Sequence, residues 1–332
     1  MTHCRETAAR LMAPGKGILA ADESIGTMSS RLSDAGVEPT SENRRIYREL
    51  LATTPRLSEA ISGIIFCDET LSQSFSDGRP FPQAVRDLGI LPGIKVDTGA
   101  KSCPGLPGEK VTEGLDGIPA RLTRYAEMGA AFAKWRAVFA ISENTPTRGA
   151  IRVNANALAR YAAACQEAGL VPIVEPEVLM VGAHNCARCR DVTAEVHAAV
   201  RDELALLNVD LAGIVLKPNM VLEGEDHEVR STPQEVAAIT VGVLRMWPAE
   251  LAGVAFLSGG QSPERATANL EAMQQHSTPW PLTFSFGRAL VSPALMAWRG
   301  EADRVADGQA ALAERVIANA AAARLRTQLK SA

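Results

Sequence analysis

Eight short apolar runs, alternating with stretches of helical pattern and broken by no linker, internal repeat or low-complexity tract, predict an α/β fold: a closed (β/α)8 barrel, the TIM barrel, in a single domain over residues 1–332. The runs start 29 to 44 residues apart, the length of a strand, a helix and two connections. Their near-continuous apolar character fits strands covered on both faces, as in a parallel sheet. Eight such units point to closure rather than to an open sheet.

The first run, 17–22 (GILAAD), follows Gly15. Gly15, Gly17 and Ala20 match a relaxed dinucleotide fingerprint, but that motif must follow a strand and open a helix; here it leads into a strand and reads as a glycine turn. The second, third and fourth runs are 61–68 (ISGIIFCD), 93–97 (GIKVD) and 132–139 (FAKWRAVF). A helical pattern at 155–168 ends before Gly169, and the fifth run is 171–177 (VPIVEPE). His184, Cys186 and Cys189 in HNCARC resemble half of a zinc site. A structural zinc takes four ligands, and the other histidines lie at no ligand spacing, so a loop or helix start is expected there and no metal. After the sixth run, 213–219 (GIVLKPN), Thr232, Pro233 and Glu235 have the spacing of a capping box with proline at the first helical position. Runs seven and eight are 253–260 (GVAFLSGG) and 282–288 (LTFSFGR), and the chain ends in a basic, helix-patterned stretch, AAARLRTQLKSA.

With 34 basic and 38 acidic residues the formal charge is −4, which offers no broad basic surface and disfavours a nucleic-acid partner. No stretch has the length and apolarity of a signal core or a membrane span, so a soluble, cytoplasmic chain is expected. Six cysteines are too sparse for a disulfide scaffold. Lysine is scarce: seven stand against 27 arginines, and Lys95, Lys134 and Lys217 lie inside apolar runs. Lysine is among the residues least often buried without a partner.

In a barrel, side chains alternate inward and outward, and reactive groups gather at the carboxyl ends of the strands. Asp22 ends the first run; Lys95 with Asp97, Lys134 with Arg136, and Glu175 with Glu177 each share a face; Lys217 lies near the end of the sixth run and Arg288 closes the eighth. Amines crowded in a partly apolar cavity are expected to have a lowered pKa, which would let one act as a nucleophile toward a ketone. Lys217 is the candidate, its run being otherwise uncharged, with Lys134 as the neighbouring charge. Glu175, Glu177 and Asp22 are the carboxylates available to shuttle protons. FLSGGQS and FSFGRAL, where such barrels often bind phosphate, suggest a cradle of Ser258, Gly259, Gly260, Ser285 and Arg288.

The segments GKGILAADES, ENRR, DGRPFPQ, GIKVD, GLDG, FAKWR, NANALARYA, VPIVEPE, LKPNMV, FLSGGQS and GRAL resemble, in order and across nearly the whole chain, those of class I fructose-bisphosphate aldolases. The resemblance implies a cofactor-free and metal-free lyase acting on small-molecule sugar phosphates, with Lys217 forming the Schiff base and Glu175 as principal proton shuttle. It implies Asp22 at the carbon–carbon bond, with Lys134 and Arg136 supporting charge and substrate hydroxyls. Ser258, Gly259, Gly260, Ser285 and Arg288 would hold one phosphate; Ser24, Thr27, Arg31, Arg44 and Lys95 would handle the other or its approach. It further implies a homotetramer. Fructose 1-phosphate or sedoheptulose 1,7-bisphosphate as substrate, and a non-catalytic sugar-phosphate scaffold, are the competing readings; pure binding would not require the lysine and carboxylates. Three departures stand out: Thr27 where serine is usual, Phe286 where tyrosine is frequent, and an end at Ala332 without the tyrosine-bearing tail, Tyr47, Tyr125 and Tyr161 being the only tyrosines.

Overall fold

The structure is a computed structural model that describes residues 2–329, with side chains as far as Arg324. Eight strands form one parallel sheet in the order β1 (Gly17–Ala21), β2 (Ile61–Phe66), β3 (Leu91–Lys95), β6 (Phe132–Phe139), β7 (Val171–Val178), β8 (Val215–Leu216), β9 (Gly253–Phe256) and β10 (Leu282–Phe284). The ring closes where Ala20 N–H donates to Phe286 O at 3.0 Å. This is the (β/α)8 barrel that the spacing predicts, and each apolar run contributes one strand. The remaining two strands, β4 (Ala100–Ser102) and β5 (Lys110–Thr112), form a separate antiparallel hairpin beyond β3.

Local chemistry sets the boundaries. β8 is two residues long because Pro218 has no N–H to extend the ladder, although Lys217 N–H still donates to Val174 O at 2.8 Å. The capping box forms: Thr232 Oγ1 accepts from Glu235 N–H at 3.3 Å and Glu235 Oε2 accepts from Thr232 N–H at 2.8 Å. Cys186 and Cys189 lie in the first turn of helix Cys186–Leu206, behind the cap Asn185. Helix Arg148–Glu167 begins well ahead of the expected 155, at the cap Thr147.

Helix Thr2–Leu11, which the sequence reading does not identify, closes the amino end of the barrel through Cys4, Ala8 and Leu11. These meet an interior layer that includes Ile18, Leu91, Phe132, Val171 and Val215. Phe132 fits because its neighbours lack side chains: a Cβ on Gly93 would lie 2.2 Å from its ring. Removing an aromatic ring of this kind from water contributes about 1.5–3 kcal/mol. The lower barrel interior is therefore packed with apolar side chains. The expectation of a tail without tyrosine concerns an end whose last residues, 330–332, lie outside the described residues.

Candidate active site

The inward series run from apolar to charged as each strand rises: Ile18, Ala20, Asp22; Phe132, Lys134, Arg136; Val171, Ile173, Glu175, Glu177. The charged ends line a cavity of about 540 Å³ at the carboxyl end of the barrel, a size suited to a small metabolite.

At its floor four groups form a chain. Lys134 Nζ donates to Asp22 Oδ2 at 2.9 Å and makes an ion contact with Glu175 Oε2, also at 2.9 Å. Lys217 Nζ lies 3.2 Å from the other oxygen, Glu175 Oε1. Lys134, Glu175 and Lys217 are no more than 4 % exposed, so each charge depends on its partner. Burial alone would raise the Asp22 pKa, but the fields of Lys134 and Lys217 outweigh it and hold the carboxyl below its ordinary range. Glu175 is lowered in the same way, by Lys134, Lys217 and Arg136 acting against burial. At Lys134 burial favours the neutral amine, yet Asp22, Glu175 and Asp97 prevail and raise its pKa. This corrects the expectation that crowding lowers the amines as a group: Lys134 is governed by carboxylates and remains an ammonium.

The cavity wall continues the pairing. Arg136 Nε donates to Glu177 Oε2. Lys95 Nζ donates to Asp97 Oδ1 at 2.5 Å and to Asp97 O at 2.9 Å. Arg31 pairs with Glu23, whose other oxygen accepts from the buried Arg48 at 2.8 Å. Ser24 caps helix Ile25–Asp34, its hydroxyl accepting from Thr27 N–H at 3.3 Å, and both side chains line the cavity. Arg44 does not. Its guanidinium is directed to both oxygens of Glu69, at 2.6 and 2.8 Å, and to Ser29 and Pro39 O. These bonds hold it outside the cavity lining.

Ser258, Gly259, Ser285 and Arg288 line the other side. Gly260 is next in the turn, at φ +81°, and is not part of the lining. The Ser285 hydroxyl is buried without a protein partner, which leaves a hydrogen-bonding group directed to whatever occupies the cavity. Arg288 opens helix Arg288–Trp298, and no described residue forms a side-chain hydrogen bond or ion pair with it.

The sequence reading does not identify Glu23, Thr98, Gly99, Ala100, Lys101, Leu257 or Gly287 as lining residues. Glu23 could have been found beside Asp22 in ADES, and Lys101 from the scarcity of lysine; the others line the cavity mainly through backbone or apolar surface. None of the three tyrosines reaches the cavity: Tyr47 and Tyr161 donate to Val291 O and Ile173 O, and Tyr125 to Asp68. Among the described residues no group of three or more His, Cys, Asp or Glu could hold a metal ion.

A barrel whose carboxyl end buries two amines on one carboxylate, beside a hydroxyl and a guanidinium free to take an anion, has the equipment of a Schiff-base lyase. The sequence profile of the family described as fructose-bisphosphate aldolase class-I matches residues 3–331. The chain is 53% identical over 295 residues, 88% of each protein, to the probable fructose-bisphosphate aldolase class 1 of Xanthomonas campestris pv. campestris. It is 50% identical over 322 residues to human fructose-bisphosphate aldolase C, covering 96% of this chain and 88% of that one. The solved fructose-bisphosphate aldolase of Plasmodium falciparum superposes with a TM-score of 0.95 at 44% identity, covering 97% of this chain and 94% of that one. The chain belongs to the class I fructose-bisphosphate aldolase family, and is a lyase.

Proposed function

We propose that the chain reversibly cleaves fructose 1,6-bisphosphate into glycerone phosphate and glyceraldehyde 3-phosphate through an imine on Lys217. The observation that carries the reading is the buried Lys217–Glu175–Lys134 arrangement, with an amine on each oxygen of one carboxylate. In its neutral form Lys217 Nζ adds to the ketose C2 carbonyl, and Glu175 takes the amine proton. The carbinolamine oxygen takes one proton from solvent to become a hydroxyl; the proton held by Glu175 is then returned to it, it leaves as water, and a protonated imine remains. Asp22 accepts the C4 hydroxyl proton; as the C4 carbonyl forms, the C3–C4 pair passes into the iminium, giving an enamine and free aldehyde. Protonation at C3 and hydrolysis regenerate Lys217 and release glycerone phosphate.

Lys134 keeps its proton and steadies the developing oxyanion, while Arg136, fixed by Glu177, faces the substrate hydroxyls. Ser258, Gly259, Ser285 and Arg288 hold the phosphate nearer the imine; Gly260 shapes their turn. The cavity has seven basic and five acidic side chains, a formal excess of two positive charges, which favours a bisphosphate over a monophosphate. The same reading includes one domain over the whole chain, a cytoplasmic setting and a homotetramer, each consistent with the family.

The test is borohydride reduction with glycerone phosphate and EDTA present, followed by peptide mapping. A three-carbon phosphate adduct on Lys217 is expected, and no labelling of Lys217→Arg, whose guanidinium stays protonated. An adduct on Lys134 or Lys95, or none, overturns the assignment; a requirement for added metal overturns the metal-free route.

A further inference from the structure

The cavity's cations are unequal in what they have left to give. Five are engaged with carboxylates in the pairs described above, which use every acidic group of the lining. Two remain. Arg288 stands after β10, and Lys101 on β4 forms no side-chain hydrogen bond or ion pair with any described residue. Lys101 lies between GIKVD and GLDG, outside every segment that carries the family resemblance.

We infer that Lys101 is a specificity-determining residue that binds the phosphate farther from the imine. The inference rests on the reading of the chain as a bisphosphate aldolase. A sugar with phosphates at both ends brings two dianions into a space where an already paired cation must share or surrender its carboxylate to bind them. Lys101 and Arg288 can bind without that loss, and they stand three strands apart around the ring.

The hairpin gives Lys101 a fixed base. Asn154, fully buried in helix Arg148–Glu167, accepts from Thr112 N–H at 3.1 Å and donates to Lys110 O at 2.9 Å. Thr112 Oγ1 donates to Arg136 O at 2.8 Å, which ties the hairpin to β6. In the register of the hairpin Lys101 opposes Val111, one step from the anchored Thr112. The lysine stem is free while its Cα is held, which suits a group that collects a mobile phosphate by charge.

The experiment compares two substrates, fructose 1,6-bisphosphate and fructose 1-phosphate, on the full chain and its variants. Lys101→Ala should lower kcat/KM for the bisphosphate about tenfold or more, mainly through KM, because a charge-assisted phosphate contact is lost. It should leave kcat/KM for the monophosphate within about twofold, since that substrate has no phosphate at this end. Lys101→Arg should restore most of the bisphosphate rate, and Lys101→Ala should melt with the parent because the side chain is exposed. Equal effects on both substrates, or none on the bisphosphate, overturn the role of Lys101. Failure of the unmutated chain to cleave either sugar overturns the aldolase reading instead, so the two failures are distinct.

Discussion

Ser285 and Arg288 differ from the paired floor of the site in a way that decides what each can do. Lys134 and Glu175 satisfy one another, so replacing either strands a buried charge, which destabilises as well as inactivates. Arg288 is exposed and unpaired, and the buried Ser285 hydroxyl lacks a protein partner. Arg288→Ala is therefore expected to raise KM for fructose 1,6-bisphosphate about tenfold or more, the worth of a charge-assisted contact of roughly 1.5–3 kcal/mol, while the melting temperature stays put. Steady-state kinetics beside a thermal melt checks this, and an unchanged KM with a fallen melting temperature would mean that Arg288 serves the fold. The paired residues were legible in the sequence because a charge inside an apolar run has few explanations. The partner of Arg44 was not legible because ENRR shows a cation but not its carboxylate, and Glu69 is 25 residues away.

Elements were legible where periodicity extends far enough to be seen. Each of the eight runs yielded its strand because short, largely apolar runs recurring between helical stretches leave little choice for a chain of this class. The β4–β5 hairpin escaped notice because its strands are three residues each, polar, and set among glycines and prolines, where pattern cannot be distinguished from loop. What makes it an element is Asn154 reaching across from a helix. Asn154→Ala would leave Thr112 N–H and Lys110 O without their partner, at a cost of about 2–3 kcal/mol. Amide exchange of residues 100–112 should accelerate while β6 and β7 keep their protection; unchanged exchange in the hairpin would show that its anchorage lies elsewhere. The start of helix Arg148–Glu167 escaped for a related reason, since Arg148, Arg152 and Asn154 interrupt the apolar pattern at its start, where the first turn is fixed by the cap Thr147.

At the scale of the whole barrel, the outer layer contains a titrating group that the active site does not use. His197, on helix Cys186–Leu206, is fully enclosed, and its Nδ1 accepts from Trp247 Nε1–H at 3.2 Å. Burial pushes its pKa down from 6.5 to about 4. Protonation would also give Nδ1 a hydrogen facing a donor, so the charged ring loses its one bond. The folded state thus binds a proton less readily than the unfolded chain, and the stability from this difference is complete above pH 6.5 and lost as pH falls toward 4. A displacement of that size corresponds to about 3 kcal/mol. Glu223 titrates lower: burial would raise it, but the hydrogen bond from Arg265 and its backbone bonds hold it at about 2, so its contribution is present above 4.5 and lost below. Acid unfolding should therefore occur in two stages, histidine first and carboxylates after. Urea midpoints of the parent and His197→Gln, taken between pH 7.5 and 3 at one protein concentration, separate them. Glutamine can still accept from Trp247 but does not titrate, so the variant should lose far less stability between pH 6.5 and 4 and then follow the parent below. Parallel curves over the upper interval would show that the buried imidazole is not what makes the folded barrel acid-sensitive there.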